Sequence, residues 1–230
     1  MSQLTIQIDI YTLPSQTRLY TINPGKGNGM AMSLALINKD ALTLIAAFEN
    51  GYASVHRLQD SQWIMTYRTQ AHTQPVLSLA VHPSYEWFLT SAADAIIAKH
   101  PIPTAEVIDS EARVVEVEDE SQIQPQGPIK TVNTKHAGQQ GLEIRSDGRI
   151  FATAGWDSHI RVYSCKTLKE LAVLQWHKVG CYAVAFAAVE ETSVEQGLVS
   201  VKDRRIAKAR TAHWIAAGAK DGKISLWDIY

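Results

Sequence analysis

Cysteine is nearly absent from this chain: Cys165 and Cys181 are the only two among 230 residues, with no CxxC and no paired Cys/His spacing. That excludes a disulfide framework and fits free thiols in a reducing compartment. Charge of one sign is also lacking. The formal net charge is −1, so no global field draws the chain to nucleic acid or an anionic membrane. No apolar run approaches the roughly 18–20 residues of a membrane helix. The opening MSQLTIQIDIY has no positive region followed by an apolar core, so no secretory signal is visible. Catalytic signatures are missing as well. There is no GxSxG elbow, no HxH or HExxH, and the glycine-rich Gly25-Lys26-Gly27-Asn28-Gly29 runs into no GK[ST]. No catalytic, cofactor-binding or metal-ligating set is assigned, and the glycine run reads as a linker. What remains, 46% hydrophobic and 20% charged, is ordinary for a globular protein.

What the chain does have is a pattern that recurs four times: strand, tight polar turn, strand. The copies read LTLIAAFENGYASVHRL, WFLTSAADAIIAKHPI, RIFATAGWDSHIRVYSC and HWIAAGAKDGKISLWDIY. Their turns fall at Asn50-Gly51, Asp94-Ala95, Asp157-Ser158 and Asp221-Gly222. Asn-Gly and Asp-Gly adopt the positive φ that two-residue hairpin turns demand. A small, apolar segment precedes each copy, such as Val76–Val81 or Cys181–Phe186, and suits an inner strand covered on both faces. A further strand follows the first three copies at Trp63–Thr69, Ile129–Lys135 and Glu170–Trp176. Four antiparallel strands repeating every ~40–45 residues make the blade of a β-propeller, so the predicted class is all-β.

The predicted organisation is the outer strands of a partial blade at 1–25, then blades at 26–70, 71–135, 136–176 and 177–230. The last blade lacks an outer strand. About four blades are present, which reads as the C-terminal part of a longer, seven-bladed propeller. An acidic insertion spans 103–128, with Glu106, Asp109, Glu111, Glu116, Glu118, Asp119 and Glu120. It reads as a solvated loop or, alternatively, a dock for a basic partner. A second insertion at 188–211 ends in the basic run Lys202–Arg210, an exposed loop or a nuclear-import signal.

A layer of polar residues carries a family resemblance. His72, His136 and His177 each sit just before an inner strand, and each blade has a polar turn residue. The chain resembles WD-repeat proteins, where His, a Ser/Thr, the turn Asp and a Trp form a hydrogen-bonded network inside the blade. By that resemblance His72, Thr90 and Asp94 match in the second copy, with His100 in the Trp position. His136, Thr153 and Asp157 match in the third, with Tyr163 as the ring. His177, Asp221 and Trp227 match in the fourth, where Ala217 replaces the hydroxyl. The first copy has Asn50 and no matching His. These residues imply structure, not catalysis. Trp156 and Trp176 read as rim aromatics, serving either as interface anchors or in packing.

A narrower likeness runs through 136–230. The block Gly138–Leu142, then Arg145–Asp157, Lys166–Leu174, Trp176–Lys178, Gly180–Phe186 and His213–Trp227, is similar to the C-terminal region of the fungal ASTRA-associated protein 1 family. That family's longer members imply a non-catalytic nuclear scaffold in the ASTRA chromatin-remodelling complex. Its implied partners are AAA+ ATPases, a pseudokinase of the phosphatidylinositol-kinase-related class and maturation factors for such kinases. Direct contact with nucleic acid or membrane is not expected. Two other uses of propellers stay open: a G-protein β-like signalling adaptor and a ubiquitin-ligase substrate receptor. The first predicts an N-terminal coiled coil, and residues 1–30 hold no heptad pattern.

Overall fold

Alternation along a strand sends neighbouring side chains to opposite faces, so a strand covered on both faces needs apolar or small residues throughout. LTLIAAF and WFLTSA meet that requirement, and in the computed structural model of the chain both are strands with almost every residue buried. The segments before them, expected to be covered on both faces, are edge strands instead: Val76–Val81 is only partly buried, and in Cys181–Phe186 Cys181 alone is buried, because an edge strand has a sheet neighbour on one side only. The structure describes residues 6–104, 126–189, 200–201 and 212–229. The insertions predicted at 103–128 and 188–211 lie mostly outside the described residues.

The chain divides into two compact units, Met1–Gly138 and Gln139–Tyr230. The first unit opens with β1 (Ile8–Thr12) and β2 (Thr17–Ile22), a two-stranded antiparallel sheet. Next come β3 (Ala31–Asn38), β4 (Leu42–Phe48), β5 (Tyr52–Gln59) and β6 (Gln62–Gln70), paired in that order. Then β7 (Val76–Val81), β8 (Trp87–Ala92), β9 (Ile96–Pro101) and β10 (Lys130–Asn133) form a second four-stranded sheet. In the other unit, β11 (Gln139–Ile144), β12 (Ile150–Gly155), β13 (His159–Ser164) and β14 (Glu170–Gln175) make a third. The last sheet has three strands, β15 (Cys181–Phe186), β16 (Trp214–Ala219) and β17 (Ile224–Asp228).

The core follows from the pleat. Leu44, Ala46 and Phe48 of β4 point to one side, against Ile8 and Ile22 of the two-stranded sheet. Ile45 and Ala47 point to the other, into a cluster with Val55, Tyr67, Val76 and Phe88. Burying a side chain of this size contributes about 1.5–3 kcal/mol, so both faces of one short strand add to the first unit. In the second unit Ala152, Ala154, Ile160, Val162, Cys181 and Ile215 form the equivalent cluster.

All four larger sheets share a detail that the sequence pattern does not announce. The register of the first strand shifts near its start, between Ala31 and Ser33, Val76 and Ser78, Gln139 and Gly141, and Cys181 and Ala183. Such bulges bend a strand and raise its twist. The turns behave as their chemistry requires. Gly51 and Gly222 take φ of 80° and 78°, a region a β-carbon disfavours. At Gly51 a β-carbon would also collide with the His72 carbonyl oxygen. Ser158, where a non-glycine residue stands in the third turn, is likewise left-handed at φ 68°.

Candidate functional site

Thr90 sits in the middle of β8, fully buried, with its hydroxyl between two imidazoles. His72 Nε2 lies 2.7 Å away and His100 Nε2, on β9, 2.8 Å away. The other nitrogen of His72 meets the Asp94 carboxylate at 3.1 Å. The other nitrogen of His100 meets the Tyr67 hydroxyl of β6 at 2.9 Å. For neutral rings this chain has one consistent direction. A carboxylate only accepts, so His72 Nδ1 donates to Asp94. Thr90 then donates to His72 Nε2, His100 Nε2 donates to Thr90, and Tyr67 donates to His100 Nδ1.

The charges agree with this arrangement. Burial pushes His100 down to about 3, so it stays neutral. Burial also holds the Tyr67 phenol above its ordinary value. Burial alone would raise Asp94. The His72 bond and the N–H groups of Ile96 and Thr73 outweigh it and hold the carboxyl below its usual range. The ring at position 100 thus completes the polar line of this sheet and extends it to Tyr67.

The fourth sheet corrects the reading of Ala217 as a lost hydroxyl. Ala217 pairs directly across with Ser225 of β17. Ser225 Oγ lies 2.8 Å from His177 Nε2 and receives the Trp227 Nε1–H at 3.0 Å. The hydroxyl has crossed to the partner strand. The first sheet shows the same arrangement: Ala46 pairs with Ser54, and Ser54 Oγ lies 2.9 Å from His56 Nε2. The second sheet reverses it, with Thr90 opposite Ala98. In all three the ring follows two residues after the β5, β9 or β17 member of the pair: His56, His100 and Trp227. Burial pushes His56 down to about 4. Ser225→Ala is therefore expected to lower stability by about 1–3 kcal/mol, leaving His177 Nε2 and the indole N–H without their shared partner. Adding Ala217→Thr should restore most of it. Urea midpoints of the wild type, single and double variants would decide, and an unrestored double variant would rule out the exchange.

Asp221, expected in that network, is elsewhere. It bonds Lys223 Nζ at 2.8 Å on an exposed turn, and the lysine holds its carboxyl below the ordinary value. His177 Nδ1 is buried without a hydrogen bond. The physical reason is local: an i+2 lysine reaches the carboxylate within the turn itself.

The third sheet departs further. Thr153 Oγ1 and the Tyr163 hydroxyl are buried neighbours that stop short of a hydrogen bond. Tyr163 stacks on Phe151 at 5.0 Å, and burial pushes its phenol up to about 12. Asp157 instead grips Arg161, with oxygens 3.1 and 2.6 Å from its two terminal nitrogens. Burial would raise the Asp157 carboxyl, and the Arg161 pairing overrides it. Arg161 is buried opposite Thr153 on β13. His136 belongs to the first unit, and its N–H bonds Thr134 Oγ1 at 3.3 Å. Asp157→Ala removes one partner of a buried arginine. Because Asp157 is a third exposed and Glu170 stands 3.6 Å from Arg161 Nε, the expected loss is only about 2 kcal/mol. Calorimetry checks it; an unchanged melt would show the pair to be idle.

Trp156 is 47% exposed, with its indole N–H held by Gln140 Oε1 at 3.0 Å. Trp176 is 50% exposed and stands edge-on to His177 with ring centroids 4.9 Å apart. In the first unit an open cleft of about 550 Å³ is lined by Glu49, Asn50, Tyr52, Gln70, Thr73 and Gln74. Its back is stiffened by Arg68, which stacks over Tyr52 and bonds Asn28 and Lys26 of the glycine loop. The cleft lining combines amides with one carboxylate, one hydroxyl and one aromatic ring. Cys181 is buried and pushed up to about 11, chiefly by burial, so it is a poor nucleophile at neutral pH. Among the described residues no cluster of three His, Cys, Asp or Glu could hold a metal ion, and no helix is long and apolar enough to cross a membrane.

The family model described as WD domain, G-beta repeat matches residues 61–98, 128–164 and 168–228. The chain belongs to the WD-repeat family. Its sheets are thus blades of a WD-repeat β-propeller. Curated relatives named ASTRA-associated protein 1 match nearly all of this WD-repeat chain. The protein from Verticillium alfalfae is 52% identical over 97% of this chain and 56% of its own length. That from Pyricularia oryzae is 42% identical over 97% of this chain and 66% of its own. That from Schizosaccharomyces pombe is 31% identical over 89% and 48%. The likeness read in residues 136–230 therefore extends upstream. The chain spans about half to two thirds of these relatives' lengths. Among solved structures, a computationally designed protein, Ika4, superposes with a TM-score of 0.56 over 89% of this chain and 95% of its own, at 16% identity, which speaks to fold alone.

Proposed function

We propose that this WD-repeat chain is a non-catalytic scaffold subunit of the ASTRA assembly. Carrying that reading is the match along 97% of the chain to proteins named ASTRA-associated protein 1. The geometry supports a binding role: His72, Thr90, Asp94 and His177 make hydrogen bonds within their sheets, while Trp156 and Trp176 are exposed and a polar cleft lies open. Exposed tryptophans are the side chains that most often anchor interfaces. Its partners are the other ASTRA subunits: AAA+ ATPases, a pseudokinase of the phosphatidylinositol-kinase-related class and its maturation factors. It works in the nucleus, in chromatin remodelling and the maturation of such kinases.

The test is affinity purification of the tagged protein from its native organism, with identification of what co-purifies, beside imaging of the same tag. Recovery of the ATPases and the pseudokinase, with nuclear signal, is expected. Recovery of cullin-type ligase subunits or of G-protein α and γ subunits instead would overturn the proposal.

A further inference from the structure

Arg57 ends the inward-facing run of β5, beside Thr43 of β4 in the strand register. It is only 6% exposed. Among the described residues it makes no hydrogen bond and no ion pair, unlike Arg68, Arg145 and Arg161. A guanidinium carries five donors and never sheds its charge. With no counter-charge of its own, this cation gains a charge-assisted bond from an anion that reaches it through the opening it lines.

The surroundings show what could arrive. Arg57 lines a narrow cleft between the β3–β4 turn and the ends of β5, β8 and β9, with Lys39, Asp40, Thr43, Tyr85 and Thr104. The cleft is narrow, with room for about one water-sized group, about 20 Å³. Lys39 and Arg57 against Asp40 leave one net positive charge at the mouth. Lys39 is held there by the Ser84 carbonyl at 3.1 Å. Tyr85 stands exposed at the rim in a left-handed backbone conformation, φ 58°, fixed by its N–H on the His82 carbonyl at 2.8 Å. A non-glycine residue held there is a strained choice, and such strain concentrates at binding sites.

We propose that this cleft is a receptor for one carboxylate of an acidic peptide segment on a partner protein, with Arg57 as its anchor. A planar carboxylate matches the guanidinium fork two bonds to two. Its charge of one matches the one net positive charge of Lys39, Arg57 and Asp40, whereas a phosphate dianion brings a second charge that faces Asp40. The inference goes beyond membership of any particular assembly and does not depend on it.

The experiment uses the full chain and an acetylated, amidated hexaglutamate peptide, with binding followed by calorimetry and thermal shift at fixed ionic strength. Binding at one site and a raised midpoint are expected, with acetate competing and inorganic phosphate not. Arg57→Met keeps the apolar stem and removes the charge. It should melt no lower than wild type while losing about tenfold or more in peptide affinity, the worth of one charge-assisted bond. Tyr85→Gly, which relieves the backbone, should fold and bind more weakly. An Arg57→Met chain that melts lower and binds as before would overturn the proposal. So would displacement of the peptide by phosphate. So would binding that emerges only after Glu106, Asp109, Glu111, Glu116, Glu118, Asp119 and Glu120 are neutralised, since the chain's own acids would then be the occupant.

Discussion

Replacing Thr90 by Val is expected to destabilise the first unit by about 4 kcal/mol. The substitution keeps the shape and removes only the hydroxyl. Two buried imidazole nitrogens, His72 Nε2 and His100 Nε2, then lose their common partner. Leaving a buried polar group unsatisfied costs about 1–3 kcal/mol each. No second hydroxyl can take over, because the residue opposite Thr90 is Ala98. The damage also travels along the line: Asp94 fixes the His72 tautomer, and Thr90 passes that direction on to His100 and hence to the Tyr67 bond. Thr90→Ser keeps the oxygen and should cost no more than about 1 kcal/mol, the value of a methylene-sized loss. Denaturant titration of the two variants separates the readings. If Val and Ser behave alike, the hydroxyl is not the linchpin.

Acid is the second lever. His56 and His100 are held near 4 and 3 by burial, against an unfolded value of about 6.5. Both pKa values are depressed in the folded chain, so the unfolded state binds protons more readily. Their stabilisation is therefore complete above about pH 6.5 and is lost as pH falls below it toward the folded values. From pH 7 to pH 5 each histidine is expected to remove about 2 kcal/mol, together about 4, before ordinary carboxylates titrate. His100→Trp, borrowing the ring that Trp227 supplies in the fourth sheet, should remove about half of that dependence. Unfolding free energies at pH 7, 6 and 5 provide the check; a flat profile in wild type would mean that these rings are solvated.

Strands and turns were readable because their signals are local. The alternation in HIRVYS, the small residues of LTLIAAF and the Asn-Gly and Asp-Gly turns each act within a few residues. His72, Thr90 and Asp94 are legible through the WD-repeat resemblance, which supplies the pattern they match. What was not readable depends on pairing. Ser225 stands opposite Ala217 only once β16 and β17 are in register, so a strand-by-strand reading sees an alanine where a hydroxyl belongs. Arg161 was hidden by the alternation itself: a polar residue between Ile160 and Val162 suggests a wet face, yet here both faces of the sheet are covered and the arginine is buried on Asp157. Arg57 is the same case without the carboxylate. The shared bulge at the start of each first strand leaves no mark in residue type.

The exchange of hydroxyl between facing positions has a consequence for how such blades can change. Ala46/Ser54 and Ala217/Ser225 are one solution, and Thr90/Ala98 is its mirror. A single substitution cannot convert one into the other without passing through a sheet with no hydroxyl or with two. The two-hydroxyl intermediate is the passable route, because an extra oxygen can point at its neighbour while an orphaned imidazole cannot be relieved. The order of events matters: gain first, loss second. A sequence profile that scores each column separately marks both ends of such a path as defects, and the blade looks degenerate while its hydrogen bond is intact.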